Sequence, residues 1–487
     1  MLTFKFNHMN TFKKYIIPVF MLASIISCKK NYFEVETELD PNNPPVALYL
    51  TNANSKQINQ LGIGLQSVLR SAFLDFGRVT GTVGRETIYS ASTDNRYFTE
   101  LLGTNVTQYG GTSAGANDPA GIFNTYYNAY SQTRRRAEQY IVAANNTSAI
   151  TAQQKNAIAG FAKTLQAYVT LNLANMQGKN GIRESFTDLL TPGDQLKPGK
   201  FGTYTSALVV CKKYADDGLA ALNAGGTTFP FDVNSGFAGF STVADFKKFN
   251  RAVAARIAMY QTDWAGVNTA LSQSFLDLTG KLQSGPKFLF STVANDVTNG
   301  LFHVRNSSGA PFVVFNEFIA DAEAGDKRVF PRLDTTGKLI NVDTLKVNIR
   351  TSPRNSGAFV STHDVSLYAS NTASASVIKN EELILMYAEA NAQTGIFPAA
   401  QSALNLIRTT YGLPAYSGAL TTNALIDEVL KQRRYSLFFE GHRWFDMRRY
   451  NRLAQIMPQG TIGGNSFVVF QAMSRPDAEV QWDIANP

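Results

Sequence analysis

The chain has 487 residues, 44 % of them hydrophobic and 17 % charged, and its 45 Lys and Arg against 37 Asp and Glu give a formal charge of +8. The apolar share is enough to bury a sizeable core, and the mean hydropathy of −0.13 argues against a multi-span membrane protein. The charged share lies below the usual ~25 %, so the polar surface must come largely from Ser, Thr, Asn and Gln, and the basic excess, +5 once Lys5, Lys13 and Lys14 are discounted, lacks the dense stripe that nucleic acid requires.

Lys13 and Lys14 precede an apolar run, Tyr15–Ile26. It is too short to cross a bilayer, which takes about 20 residues, but it suits a secretory core. Ile25-Ile26-Ser27 directly before Cys28 has the order of a bacterial lipobox, in which the cysteine thiol takes a diacylglyceryl group. Residues 1–27 are therefore expected to be a lipoprotein signal peptide, starting at Met1 or Met9, with Cys28 as the lipidation site. The alternating acids Glu34, Glu36, Glu38 and Asp40, followed by Pro41-Asn42-Asn43-Pro44-Pro45, cannot pack as a helix. Residues 28–45 thus read as a flexible tether that attaches a body to a membrane by lipid alone. Cys211 then has no partner for an intramolecular disulfide, and in Ala207-Leu208-Val209-Val210-Cys211 it reads as a small core hydrophobe.

The body, 46–487, reads as one domain in three parts. From 46 to 275 the pattern is helical: Ile58, Leu61, Leu65 and Leu69 fall at three- and four-residue steps, as do Ile158, Phe161, Leu165, Val169, Leu173 and Met176. Within it, Gly77–Gly121 is too rich in Gly, Thr and Asn for long elements. From 276 to 376, short apolar runs (Phe288–Phe290, Phe312–Phe315, Leu345–Ile349) punctuated by Gly, Pro, Asn and Asp predict loops and short strands. From 377 to 487 helices return. Ala255, Trp264, Val267 and Leu271 align with Ala388, Phe397, Ala400 and Leu404 at a shift of 133 residues. A small residue on one helix and an aromatic at the turn is how tetratricopeptide-type helix pairs pack, although Ser274 stands where Ile407 calls for an apolar side chain.

The densest polar constellation runs from Arg433 to Arg449. Glu440 and Asp446 lie among five arginines there, an environment that keeps carboxylates ionised and is wrong for a proton donor. The reading is structural: a helix broken at Gly441, arginine–carboxylate pairs pinning two helices, and Trp444 and Phe445 wedged between them. Gly111-Thr112-Ser113-Ala114-Gly115 matches the nucleophile-elbow pattern literally but has no hydrophobic strand before it. His303, His363 and His442 lack metal-ligand spacing, and no phosphate or dinucleotide loop is present, so no metal and no cofactor are expected. Arg134-Arg135-Arg136, on a helix with Tyr126, Tyr127 and Tyr130, reads as a solvated or partner-facing surface.

Taken together, the lipobox at Cys28, the stretch Lys379-Asn380-Glu381-Glu382-Leu383 through Gly412-Leu413-Pro414, the run Arg433–Arg449 and the ending Ser474-Arg475-Pro476 to Asn486-Pro487 resemble the SusD/RagB family of nutrient-binding lipoproteins of Bacteroidetes. Gln432 and Ser436 depart from it, standing where the family usually has glutamates. The resemblance implies a mainly α fold of tetratricopeptide-like helix pairs with long irregular loops and a few short strands. It also implies outer-membrane attachment by lipid, exposure at the cell surface, and capture of an oligosaccharide, more than a peptide, without catalysis. A SusC-like TonB-dependent transporter is the implied partner, and no nucleic acid. Ligand contacts are expected on the loop Arg85–Phe98, at Tyr89, Asp94, Asn95, Arg96 and Tyr97, unless its aromatics are packing residues; Glu440, Arg443, Trp444 and Asp446 are expected to be structural. Two competing readings are a helical-repeat scaffold for envelope proteins and a lipid-anchored hydrolase.

Overall fold

The structure, a computed structural model, describes residues 46–486 apart from 91–95, 104–117, 187–188, 190–197, 234–235, 295, 309–311, 342 and 357. Cys28, Asp94, Asn95 and the Gly111–Gly115 stretch lie outside the described residues.

Among the described residues, six helices of nine residues or more carry the first part: α1 (Ser55–Val83), α2 (Phe123–Asn146), α3 (Ala152–Gln177), α4 (Tyr204–Asn223), α5 (Val243–Tyr260) and α6 (Trp264–Ser272). Their starts follow from local chemistry. Asn54 and Gln57 exchange side-chain and backbone hydrogen bonds at the head of α1, Thr151 and Gln154 do so at α3, and Thr203 and Ser206 at α4. Each helix packs on the next, and the predicted apolar positions Ile58, Leu65, Leu69, Ile158, Phe161, Leu165, Val169 and Leu173 are all buried. Cys211 is fully buried and burial pushes its thiol up to about 12, so it is inert, as expected.

Two sequence expectations are corrected here. The segment from Gly77 does not break the first helix: α1 runs on to Val83. Gly77 and Gly81 serve close approach, because a Cβ on Gly77 would lie 2.9 Å from the Phe439 carbonyl and one on Gly81 2.5 Å from the Phe439 ring. The basic run is a solvated face only in part: Arg136 is exposed and Arg135 half-buried. Arg134 is buried and donates to the Arg183 carbonyl at 2.7 Å, and Tyr126, Tyr127 and Tyr130 all point into the core.

The middle part forms a small antiparallel sheet from β1 (Thr87–Tyr89), β2 (Phe312–Val314), β3 (Val347–Ser356) and β4 (Phe359–Val365), in the order β1-β2-β4-β3. Thr87 pairs with Val314, Val313 with Asp364, and Asp364 with Asn348. Ile88, Phe98, Val313, Phe315, Phe359 and Phe467 form a separate apolar cluster under it. A shorter pair, Lys287–Phe288 with Ala375–Ser376, joins this part to the helices.

The last part comprises α7 (Asn380–Gln393), α8 (Phe397–Thr410), α9 (Thr422–Ser436), α10 (Arg443–Arg449) and α11 (Asp477–Ala485). The aligned pairs are real: α5–α6 and α7–α8 are both helix–turn–helix units, and α7 packs against α6. Ala255 and Ala388 are fully buried, and Trp264 and Phe397 open the second helix of each pair. Ser274 is tolerated because α6 has already ended, and its hydroxyl donates to the Leu271 carbonyl at 2.7 Å. The fold is mainly α, with tetratricopeptide-like helix pairs and few short strands.

Candidate functional site

Between α9 and α10 the chain turns at Gly441, whose φ of +86° is open to glycine; a Cβ there would lie 2.4 Å from the Phe76 ring. Asp446 accepts from Arg433 Nε at 2.6 Å and from Arg449 Nη2 at 2.9 Å. Arg449 reaches on to Glu389 of α7 at 2.7 Å. Burial pushes the Asp446 carboxyl up, but Arg433 and Arg449 outweigh it and hold the group below the usual carboxylate range. Trp444 is fully buried and donates its indole N–H to the Phe470 carbonyl at 2.7 Å. Gln432 and Ser436 both accept from the buried guanidinium of Arg328, at 2.7 and 2.8 Å, while Asp326 supplies its one carboxylate. Neutral acceptors therefore serve where glutamates were expected.

Glu440 departs from the rest of this run: its partner is not an arginine but the Lys379 ammonium, at 2.5 Å. Arg443 forms no ion pair among the described residues, and burial lowers it to about 10. Beside it Glu86 is fully buried, and that burial outweighs the Phe439 backbone N–H and the Arg443 and Arg434 charges and pushes its carboxyl up to about 8. Its acid form is the one the fold accommodates, so its contribution to stability is full below the unfolded value of 4.5 and is lost as pH rises through about 8. Glu86→Gln should therefore unfold in urea nearly like the wild type at about pH 5 and be more stable by about 4 kcal/mol at about pH 9. Equal midpoints at both values would contradict this account of Glu86.

The loop singled out in the sequence is divided. Arg85 is buried, its guanidinium donating to the carbonyls of Leu102, Pro458 and Val468 at 2.9, 3.0 and 3.1 Å. Tyr97, 8 % exposed, has its hydroxyl 2.5 Å from that of Tyr126, and its ring stacks on Tyr89 with centroids 4.5 Å apart. Both rings meet Phe312 edge-on, so Tyr97 packs against the core. Tyr89 is half-buried and Arg96 is exposed.

Sequence reasoning missed a cavity of about 800 Å³ lined by residues outside this loop. Its walls come from the Lys287–Phe288 strand, segment 302–305, the approach to β3 at Asp343 and Lys346, and segment 366–369 after β4; Lys379 and Glu440 close it. Phe302 offers a half-buried ring, and Ser366, Ser374 and Gln283 offer hydroxyl and amide groups. His303 is held neutral, its imidazole lowered to about 4 chiefly by burial. A lone lysine inside Leu345-Lys346-Val347 was the one signal for it in the sequence. Among the described residues, no cluster of His, Cys, Asp or Glu has the makings of a metal site.

The sequence profile of the SusD family matches residues 359–485, which span the end of the sheet, both C-terminal helix pairs and the Gly441 turn. The C-terminal quarter of the chain thus carries the sequence pattern of the SusD family. The matched region contains Lys379 and Glu440, which line the cavity. The chain is similar in fold to a SusD-like protein from Bacteroides fragilis, with a TM-score of 0.61 and 13 % identity over 88 % of this chain and 94 % of that one. It is also similar to a SusD-like carbohydrate-binding protein from Bacteroides vulgatus (TM-score 0.57, 14 % identity, 82 % and 83 % covered). A laminarin-binding SusD-like protein matches with a TM-score of 0.56 and 15 % identity, over 88 % and 97 % of the two chains. No curated protein matches the chain by sequence. The SusD family is one of binding proteins associated with the outer membrane of Bacteroidetes. Among the described residues of this chain, no helix is long and apolar enough to cross a membrane.

Proposed function

We propose that this protein captures an oligosaccharide in the 800 Å³ cavity and passes it, uncleaved, to a SusC-like TonB-dependent transporter, while lipid on Cys28 holds it at the outer membrane with the body exposed at the cell surface. The observation that carries this reading is the wall itself: an aromatic face beside hydroxyl and amide groups, in a space of the size that takes small organic ligands. A ring stacks on the apolar face of a sugar, and short polar groups take its hydroxyls. The similar laminarin-binding structure supports a saccharide over a peptide. Glu440, already committed to Lys379, lacks the freedom of a hydrolytic acid, which argues against the hydrolase. Tyr89, Asp94, Asn95 and Arg96 remain a second candidate contact surface, at the loop rather than in the cavity.

A glycan and peptide array probed with the protein lacking residues 1–28 tests this. Binding to a glycan is expected, with Phe302→Ala weakening it about ten-fold through loss of the stacking face. Unchanged binding by that variant would remove the cavity from the site; cleaved products would return the hydrolase.

A further inference from the structure

Resting on the capture reading above, we propose that the cavity selects an acidic oligosaccharide, one that carries carboxylate or sulfate groups, and that the Lys346 ammonium seats its negative charge. Cations outnumber anions on the described wall, with Lys287, Arg305, Lys346 and Lys379 against Asp343 and Glu440. Lys379 and Glu440, 2.5 Å apart, neutralise each other, and Lys379 also has Glu381 at 3.5 Å. What remains is Lys346 in the wall, attracted by Glu440 and Glu381, the two carboxylates already paired with Lys379; Arg305, exposed, and Lys287, half-buried, add positive charge to the wall against Asp343.

Lys346 is 9 % exposed, yet its ammonium makes neither a hydrogen bond nor an ion pair with any described residue. Its backbone is fixed, donating to the Arg328 carbonyl at 2.7 Å and accepting from Ser366 N–H at 2.8 Å, so the side chain is held at the cavity wall by the edge of the sheet. A buried ammonium without an acceptor is costly, and the cost shows in its acidity: burial, then the neighbouring Lys379, bring it down to about 8. A neutral sugar hydroxyl relieves this only in part. A carboxylate or sulfate supplies a charge-assisted hydrogen bond, roughly twice as strong as a neutral one. The preference expected for the charged ligand is about ten-fold or more in affinity.

Titration calorimetry on the protein lacking residues 1–28 decides this with three probes: tetragalacturonate, the same tetrasaccharide with its carboxyls reduced to alcohols, and a sulfated chondroitin tetrasaccharide. Tighter binding of either charged probe is expected, by about ten-fold over the neutral one, and which of the two binds identifies carboxylate or sulfate as the group read. Lys346→Met, which keeps the stem and loses the charge, should bring charged and neutral ligands to equal affinity without abolishing binding. A wild type that binds neutral glycans as well as charged ones, or a preference that survives in Lys346→Met, overturns the proposal and leaves saccharide capture standing. If neither these probes nor an array of neutral glycans binds, capture itself falls.

Should Lys346→Met fail to fold, the wild type answers alone. The free ammonium titrates at about 8, so affinity for the charged probe should be greatest below that value and fall as pH rises above it, while affinity for the neutral probe stays level. The groups facing Lys346 are Lys379, Glu381, Glu440 and Arg328, with His303, Tyr368, Asp343, Arg305 and Lys287 elsewhere on the wall. His303 at about 4 titrates far below this window, and Lys379 is raised by its carboxylate neighbours against the effect of its burial. A flat pH profile for the charged probe contradicts the role given to Lys346.

Discussion

Asp446→Ala is expected to lower the unfolding free energy by about 3–5 kcal/mol, the range for breaking one side of a buried ion pair. The reason is what it leaves behind. Arg433 is completely buried and Arg449 nearly so, and Asp446 is the carboxylate between them. Without it Arg449 keeps Glu389, but Arg433 keeps only a 3.3 Å contact with the His442 ring, which burial and the nearby guanidinium groups hold neutral. Two like charges then face each other in a low dielectric with water excluded. Replacing the arginine as well, in Arg433→Met with Asp446→Leu, should recover part of the loss, since a well-packed apolar pair carries no stranded charge. Urea denaturation with an unchanged slope is the measurement. A loss below about 1 kcal/mol would place the network among ion pairs that contribute little.

The second large effect belongs to Gly441→Ala, with an expected loss of about 2–5 kcal/mol in the same measurement. Two independent costs add. The φ of +86° is a left-handed conformation that an L side chain adopts at about 1–2 kcal/mol. The new methyl would also lie 2.4 Å from Phe76 Cε1 and 3.0 Å from the Thr80 hydroxyl, overpacking worth about 1–3 kcal/mol. Gly395→Ala separates the two: φ there is +78°, but no atom lies within 4 Å of the added Cβ. It should lose only the conformational part, and equal losses at the two sites would show that the Phe76 contact costs nothing. Because Glu440 precedes Gly441, any shift of this turn also disturbs the Lys379 pair at the cavity wall.

The helices of this protein were legible because their evidence is local. Three- and four-residue apolar spacing, caps such as Thr151 with Gln154, and the repeated small-then-aromatic pattern at Ala255 and Ala388 need only neighbours along the chain. The charged turn was legible in kind for the same reason: arginines dense around Asp446 forecast an ionised, structural carboxylate. Glu440 was read alike and differs, since its partner Lys379 lies 61 residues away in sequence. Gly77 and Gly81 were misread because a glycine signals a break locally, whereas here both make room for Phe439 from a distant turn.

The lipobox-like order before Cys28, the helix-pair architecture and the SusD-like ending are thus properties of short stretches, each written in contiguous residues whose physical preferences act over one or two turns. The cavity is of another kind. Its wall brings together residues from Gln283 to Glu440, and the exposure of Tyr97, Arg134 and Lys346 turns on which elements pack over them. Burial and long-range pairing depend on the closed chain as a whole, so only the folded molecule could show that the tyrosine chosen for ligand contact faces the core and that an overlooked lysine stands in the wall of a pocket without a hydrogen-bond partner among the described residues.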